Sequence, residues 1–203
     1  MSSTVDALLP LSFLEAVRSV DAPDDDQGAE FVHELRNKRL GLSETVYAQS
    51  RRYADAVKRK QRAVQDEAVA LARLVGRRPD AGEVFREAGR YLAREAYLTI
   101  PAWTRRTLLA LPAFVARPVA LRSTGKFAAR YLNGTLRRFG GFVYLRVPNS
   151  VTLASAPRSE GCVFYEASLH ELLRLLIDVG SAVEHTRCVA RGDEECEWRA
   201  EWR

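Results

Sequence analysis

The sequence predicts an α+β fold, in which N-terminal helices pack on a small antiparallel sheet and a further helix is inserted between two pairs of strands. Two observations predict it. Through most of the chain before residue 139, apolar residues recur every three or four positions, which is typical of helices that bury one side. From residue 142 onward, the stretches FVYLRV and ECEWRAEW alternate apolar and polar residues, which is typical of strands. Helices followed by strands indicate an α+β arrangement.

The N-terminal helices are predicted from apolar periodicity and polar caps. A first helix covers roughly 5–20, and the stretch DDDQGAEFVHELRNKR at 24–39 forms a second, with acidic residues at its start. Ser43 is the expected N-cap of a long third helix that runs to about Val75, because one stripe of apolar residues continues through it.

Prolines and further caps divide the rest of the helical part. Asp80 begins a capping-box pattern that opens a fourth helix. Three prolines then break 100–122 into short pieces. Ser123 or Thr124 is predicted to start a last N-terminal helix that ends near Arg138.

The C-terminal part is predicted as strand, strand, helix, strand, strand. FVYLRV and SVTLASA form a hairpin about Pro148 and Asn149, and a leucine-rich helix covers 165–178. SAVEHTRCVA and ECEWRAEW form the last pair. Because side chains alternate along a strand, one face of the final strand is expected to hold Cys196, Trp198, Ala200 and Trp202. We divide the chain into a helical region, 1–95, and an α+β part, 96–203, within one continuous domain.

Charge is distributed unevenly along the chain, whose net charge is +5. Residues 1–34 hold eight acids and one base, 96–159 hold ten bases and no acid, and the part from 160 onward holds ten acids and five bases. Two interpretations remain open. The basic middle packs beside the acidic ends, or it exposes a basic face to an anionic ligand, a membrane surface or nucleic acid. Nucleic acid is the less favoured partner, because the basic helix lacks interleaved aromatic residues.

The sequence also predicts a cytoplasmic protein without a transmembrane segment. No apolar run reaches the roughly 18 uncharged residues that a spanning helix needs, and the N-terminus lacks the features of a signal peptide. The three cysteines cannot all pair with one another, which fits a reducing compartment.

The spacing of those cysteines indicates a metal site. Cys188 and Cys196 flank a Gly-Asp turn in RCVARGDEEC, and Cys162 precedes the leucine-rich helix that returns the chain towards them. Zinc prefers four thiolate, imidazole or carboxylate donors, and His185 and Glu184 are both candidates for the fourth. Because side chains alternate along a strand, Glu184 rather than His185 shares a face with Cys188 unless a bulge interrupts the strand. The alternative is that the cysteines act as small buried apolar residues.

The stretch 140–203 resembles the 4-vinyl-reductase domain family. That domain occurs alone in bacteriochlorophyll-related proteins and as the sensory region of phenol- and xylene-responsive bacterial activators. Its features are a cysteine, a helix, and an E-x-x-C…G-D-x-x-C ending, which reads HTRCVARGDEEC in this chain. The resemblance implies structural zinc at Cys162, Cys188 and Cys196, with His185 at the position of the family's glutamate. It also implies a hydrophobic pocket between the sheet and the helices, and a fold similar to that of TRAPP vesicle-tethering subunits.

Three functions follow, from different classes. The leading hypothesis is a zinc-stabilised sensor or carrier for a hydrophobic ligand, either aromatic or a tetrapyrrole. Its candidate ligand or anion contacts are Trp198, Trp202, Lys126 and Arg130. The second is a TRAPP-like homodimeric scaffold that uses the 43–75 helix as its interaction surface. The third is an accessory enzyme of pigment metabolism. The sequence favours a protein without catalysis, because it holds no G-x-G-x-x-G and four protein ligands leave zinc no position for an activated water.

Overall fold

Helices and two antiparallel sheets make up the fold, so the predicted α+β class is confirmed. The structure is a computed structural model that describes residues 3–22, 41, 43–153, 160–177 and 182–202. Within these ranges lie seven α-helices: α1 (Leu8–Asp21), α2 (Glu44–Lys58), α3 (Gln65–Gly76), α4 (Ala81–Leu98), α5 (Ala102–Ala110), α6 (Ala113–Tyr131) and α7 (Val163–Ile177). None of the helices in this described part is long and apolar enough to cross a membrane.

The larger sheet has four antiparallel strands in the order β3-β4-β6-β5. These strands are β3 (Thr135–Phe139), β4 (Phe142–Val147), β5 (Val183–Arg187) and β6 (Cys196–Glu201). In the chain, α7 lies between β4 and β5, so a helix separates two strand pairs as predicted. Because β6 pairs with both β4 and β5, it is a central strand, and its inward-facing residues are buried. A smaller sheet pairs β1 (Thr4–Asp6) with β2 (Arg62–Val64).

The core centres on the contact between α4 and α7, and α1 packs against α4. Phe13 on α1 contacts Phe85 on α4 and Phe164 on α7, with ring centroids 5.9 Å and 5.1 Å away. Gly89 lets the two long helices approach closely. A Cβ atom at this position would lie 2.4 Å from the carbonyl oxygen of Phe164 and 3.0 Å from the amide nitrogen of Ser168.

Ion pairs also join α4 to α7. The buried Glu171 accepts hydrogen bonds from Arg174, one turn along α7, and at 3.0 Å from Arg94 on α4. These two guanidinium groups, Arg174 foremost, lower the pKa of Glu171 to about 2, although its burial acts in the opposite direction. The carboxylate therefore holds its charge, and the link between the helices, throughout the neutral range.

The predicted helix over 43–75 is wrong in its length. Ser43 does cap α2, since its side chain accepts a hydrogen bond from the Val46 amide at 3.3 Å. That helix ends at Lys58, Lys60 adopts a left-handed conformation with φ of 55°, and Ala63 pairs with β1 before α3 begins. The apolar stripe continues in both helices, so periodicity alone did not reveal a three-residue strand between them.

The capping box at Asp80 is also absent. Asp80 does occupy the N-cap position of α4, but its carboxylate makes no cap hydrogen bond. Instead Arg78 donates to it at 2.7 Å and 2.8 Å, and donates as well to Asp21 of α1. The guanidinium of Arg78, which also reaches Asp21 of α1, therefore takes the side chain that the local pattern had assigned to the helix end.

The predicted helix from Ser123 or Thr124 to Arg138 is wrong at both ends. Helix α6 starts ten residues earlier than Ser123, at Ala113, and includes Pro118. Within it the Thr124 hydroxyl donates to the Ala120 carbonyl at 2.9 Å, as a residue inside a helix does. The helix ends at Tyr131, and Arg138 belongs to the edge strand β3, whose mostly exposed side chains leave no alternating pattern in the sequence.

The β4 hairpin consequently turns elsewhere than predicted. It turns at Gly140, which has φ of 58°, and joins β4 to β3. Residues 151–153, the start of the predicted SVTLASA strand, lie in a turn instead. The remainder of that stretch and the predicted helix over 24–39 lie outside the described residues.

Candidate metal centre and pocket

Three separate segments bring the three cysteines and His185 together. Cys162 ends a short 3-10 turn before α7, His185 lies on β5, Cys188 follows β5, and Cys196 begins β6. One ligand atom from each residue lies within 4.8 Å of the others. The Sγ atoms of Cys162 and Cys188, 26 residues apart in the chain, are separated by 3.8 Å. The predicted set of donors therefore forms one cluster.

A bulge in β5 selects His185 rather than Glu184. His185 pairs with Trp198 across the sheet, whereas Arg187 pairs with the residue directly before Trp198, so the strand contains one extra residue between them. Such a bulge reverses the alternation of side chains beyond it, so that His185, rather than Glu184, lies on the same face as Cys188. The Glu184 side chain is 60% exposed and forms an ion pair with Arg199 at 2.5 Å.

The turn after β5 holds Cys188 in position. The backbone amide of Cys188 donates to the Asp193 carboxylate at 2.7 Å, and the Asp193 amide donates back to the Cys188 carbonyl at 3.2 Å. Between them Gly192 has φ of 97°, a conformation that side chains with a Cβ rarely adopt. The Gly-Asp pair noted in the sequence thus forms the turn that places Cys188 and Cys196 side by side.

All three thiols are free and buried, and they interact strongly. The Cys162 side chain hydrogen-bonds Cys196 and lowers the pKa of Cys196 far below its ordinary value, with a smaller contribution from His185, although burial opposes the effect. The same contact, together with burial, raises the pKa of Cys162. The contact between these two sulfurs therefore favours a thiolate within the cluster.

The geometry fits a tetrahedral zinc ion. With Zn–S bonds of about 2.3 Å, two sulfurs of a tetrahedral site are separated by about 3.8 Å. The separation between the Cys162 and Cys188 sulfurs has this value. In addition, Nε2 of His185 is buried and has no hydrogen-bond partner, which is costly for a polar atom that binds nothing. The cluster can therefore hold a metal ion, and its donors are those that zinc prefers.

An aromatic stack fixes the imidazole ring. His185 stacks on Trp198 with centroids 4.7 Å apart and an angle of 8° between the planes, and Trp198 stacks in turn on Tyr165 at 4.9 Å. The Tyr165 hydroxyl accepts a hydrogen bond from the Val151 amide at 3.0 Å. Trp198, predicted as a ligand contact, is buried and supports the imidazole of the donor cluster. Trp202 is buried in the core as well.

A separate pocket lies among the helices. Its volume is about 410 Å³, and it is open to solvent at one side. The residues that line it come from the end of α4, the start of α5, α6 and α7; they are Ala96, Thr99, Ile100, Pro101, Thr104, Val119, Arg122, Ser123, Lys126, Phe127, Arg130, Tyr131 and Leu172. The pocket implied by the family resemblance would contact the sheet, whereas only helices and the α4–α5 connection line this one.

Cations and apolar groups line the pocket together, and none of its described lining residues is acidic. Lys126 and Arg130, two of the predicted anion contacts, both line it. Arg122 joins them, and sequence reasoning missed it because the helix was expected to begin after it. The signal was present as spacing, since positions 122, 126 and 130 share one side of a helix. Arg130 donates to Asp6 at 2.8 Å, so it is held in place by β1.

The pocket and the metal centre are distinct. Leu172 lines the pocket and lies ten residues after Cys162, which corresponds to about 15 Å along an α-helix. None of the four candidate metal donors is among the described residues that line the pocket. Helix α7 nevertheless connects the two sites, because Cys162 of the donor cluster directly precedes it and Leu172 in its middle lines the pocket.

No model of a known protein family matches the chain, and no curated protein matches it. The resemblance to the 4-vinyl-reductase domain therefore stays a prediction that rests on the residues quoted for it.

Proposed function

We propose that the protein is a zinc-stabilised binding protein, a sensor or carrier, for a small molecule with an apolar body and an acidic group. The observation that carries the proposal is the presence of two separate sites: a closed cluster of four candidate metal donors, one of which directly precedes α7, and a partly apolar pocket with three cations, whose lining includes Leu172 of α7. The division assigns stability to the first site and recognition to the second.

The zinc would be structural. Four protein donors fill a tetrahedral site and leave no position for a reacting water. Cys188 and Cys196 flank the turn between β5 and β6, and Cys162 precedes α7, so bound zinc would fasten the last two strands to the start of that helix. Without a cation, three buried sulfurs within a few ångströms would remain uncompensated, and this part of the fold would loosen.

The pocket supports a particular class of ligand. Ile100, Val119, Phe127 and Leu172 offer apolar contacts, while Arg122 and Lys126 offer charge to a carboxylate or phosphate. Small-molecule pockets measure roughly 300–1,000 Å³. At 410 Å³ this pocket lies at the small end of that range, which favours an aromatic or acyl acid over a tetrapyrrole.

We further propose that 140–203 is a 4-vinyl-reductase-type domain. Supporting the proposal are α7 between two strand pairs, and the bulge in β5 that accompanies His185 in the cysteine cluster. One argument for the TRAPP-like scaffold no longer holds, because the 43–75 helix that would have formed its interaction surface is interrupted by β2.

Two measurements on protein purified without added metal test the proposal. Elemental analysis should give about one zinc per chain, and less than about half an equivalent would refute the structural zinc. Native mass spectrometry, followed by denaturation, should release a small acidic molecule. An empty dimer would support the scaffold instead, and a bound redox chromophore in the absorption spectrum would support the accessory enzyme.

Variants separate the two sites. Replacing Arg122 and Lys126 together by alanine should reduce the retained ligand while the zinc content stays unchanged. A variant pair that loses zinc as well would show that the two sites are not independent, and retention of the ligand would exclude the proposed anion contact.

A further inference from the structure

Exposed apolar side chains concentrate around α5. Among the described residues, eight large hydrophobic side chains are exposed, and four of them lie within 98–115. These four are Leu98, Trp103, Leu111 and Val115. Trp103 is 71% exposed, which is unusual for the largest apolar side chain.

The same surface lies in a basic stretch of the chain. It belongs to the stretch 96–159, which holds ten bases and no acid. Arg106 is exposed and lies three residues after Trp103 on α5, so the two side chains share one face of the helix. We call Leu98, Trp103, Arg106, Leu111 and Val115 the α5 surface.

We propose that the α5 surface docks the protein on an anionic lipid bilayer. Tryptophan is favoured at the interface between headgroups and acyl chains, where its ring is partly apolar and its N–H stays hydrated. Arginine next to it is attracted to the negative potential of anionic lipids, and the absence of acidic residues over 96–159 removes the opposing repulsion. Leucine and valine add shallow apolar insertion.

Charge also argues against a second copy as the partner. Two copies of this surface would bring the same acid-free, basic stretch of each chain together, and like charges would oppose the contact. A lipid surface instead supplies phosphate groups for the arginine and acyl chains for the tryptophan at the same depth. Charge complementarity therefore favours the bilayer.

The pocket lies directly beside this surface. Its lining includes Thr99, Ile100, Pro101 and Thr104, which lie next to Leu98 and Trp103 in the chain. If the proposed function is correct, docking would place a wall of the pocket at the lipid, so an acidic molecule with an apolar body could enter from the bilayer. The docking itself depends neither on zinc nor on a ligand.

Intrinsic fluorescence gives a specific test. Of the three tryptophans, Trp198 and Trp202 are 0% and 3% exposed, whereas Trp103 is 71% exposed, so a change in emission on adding vesicles reports mainly on Trp103. With phosphatidylglycerol–phosphatidylcholine vesicles we expect a blue shift, quenching by brominated acyl chains, and co-sedimentation that weakens with salt. Pure phosphatidylcholine vesicles should cause little change in emission and little co-sedimentation.

Matched variants locate the contact. Trp103→Ala should abolish the fluorescence response, and Arg106→Gln should weaken binding about fivefold, the effect of one basic residue near an anionic surface. Phe139→Ala is the control, because Phe139 is 79% exposed but lies at the end of β3 rather than on α5. Circular dichroism and zinc content should be the same in all three.

Several outcomes would overturn the proposal. Equal binding to neutral vesicles would remove the role of charge, and an equal loss of binding in Phe139→Ala would remove the role of α5. Co-sedimentation without any change in Trp103 emission would mean adsorption by another basic surface. A dimer in native mass spectrometry that Trp103→Ala dissociates would assign the surface to a second copy. Each outcome leaves the tests for zinc and for the pocket ligand intact.

Discussion

Replacing His185 by alanine is the sharpest test of the metal centre, and Glu184→Ala is its control on the same strand. His185 supplies one of four donors and stacks on Trp198, whereas Glu184 makes an exposed ion pair with Arg199. We expect His185→Ala to lose most of its zinc affinity and Glu184→Ala to keep it, because the bulge in β5 directs only the imidazole to the sulfurs.

The expected loss of zinc affinity follows from the number of donors. Structural zinc sites contribute about 10–16 kcal/mol in apparent binding free energy, so one of four donors accounts for roughly 3 kcal/mol, or about a hundredfold in Kd. The lost stacking on Trp198 should cost about 0.5–1.5 kcal/mol, and it should do so with or without metal. For Glu184→Ala, the loss of an exposed ion pair should cost less than about 1 kcal/mol.

Competition against a chromophoric chelator measures the zinc Kd, and urea unfolding with and without EDTA separates the metal-dependent cost from the stacking cost. His185→Cys should recover most of the affinity, since a thiolate also serves as a zinc donor. The reasoning would be refuted by a His185→Ala protein that binds zinc as tightly as the parent. A Glu184→Ala protein that loses zinc would equally contradict it.

Three further predictions concern the helices and the pocket. Gly89→Ala should destabilise the protein by about 1–3 kcal/mol in urea unfolding, because the added methyl group collides with the α7 backbone. Gly125→Ala is the control and should stabilise the protein by about 0.5–1 kcal/mol, because a Cβ atom there meets no neighbouring group within 4 Å. Equal effects of the two substitutions would contradict the close approach of α4 and α7. Glu171→Gln should lower the free energy of unfolding by about 1–2 kcal/mol at pH 7, a modest value because the partner arginines are half exposed. The difference in unfolding free energy between variant and parent should shrink as pH falls from 4.5 to about 2, because the parent carboxylate is protonated in that range. A difference that is independent of pH would exclude the ion pairs as its source. Reversing the charge at Lys126 with glutamate should weaken binding of an acyl or aromatic acid at least tenfold by isothermal titration calorimetry, and unchanged affinity would place the ligand elsewhere.

Elements with a strong local signal could be predicted from the sequence alone. Helix α7 and strands β4, β5 and β6 lie where apolar periodicity and alternation placed them. Ser43 caps its helix, as its position before an apolar stripe indicated. In each case the local preference and the tertiary contact agree, so the pattern of side chains was sufficient.

Elements that form only because another strand or a tertiary contact supports them were not predictable in this way. Strand β2 forms because β1, about sixty residues earlier, supplies its hydrogen bonds, and β3 forms because β4 does. Both are short or exposed, so their side chains show no alternation. Asp80 was assigned to a helix cap, but its carboxylate pairs with Arg78, and the packing of α1 brings Asp21 to the same guanidinium.

The candidate metal centre likewise has features that the sequence predicts and one that only the structure shows. By itself the sequence determined the chemistry: three cysteines around a Gly-Asp turn and a leucine-rich helix, with His185 or Glu184 as the fourth donor. Only the tertiary structure decided between the two, because the direction of a strand side chain depends on register with the neighbouring strand, and the bulge in β5 changes that register by one residue. The helical pocket likewise exists only where α4, α5, α6 and α7 meet, so no local pattern could reveal it.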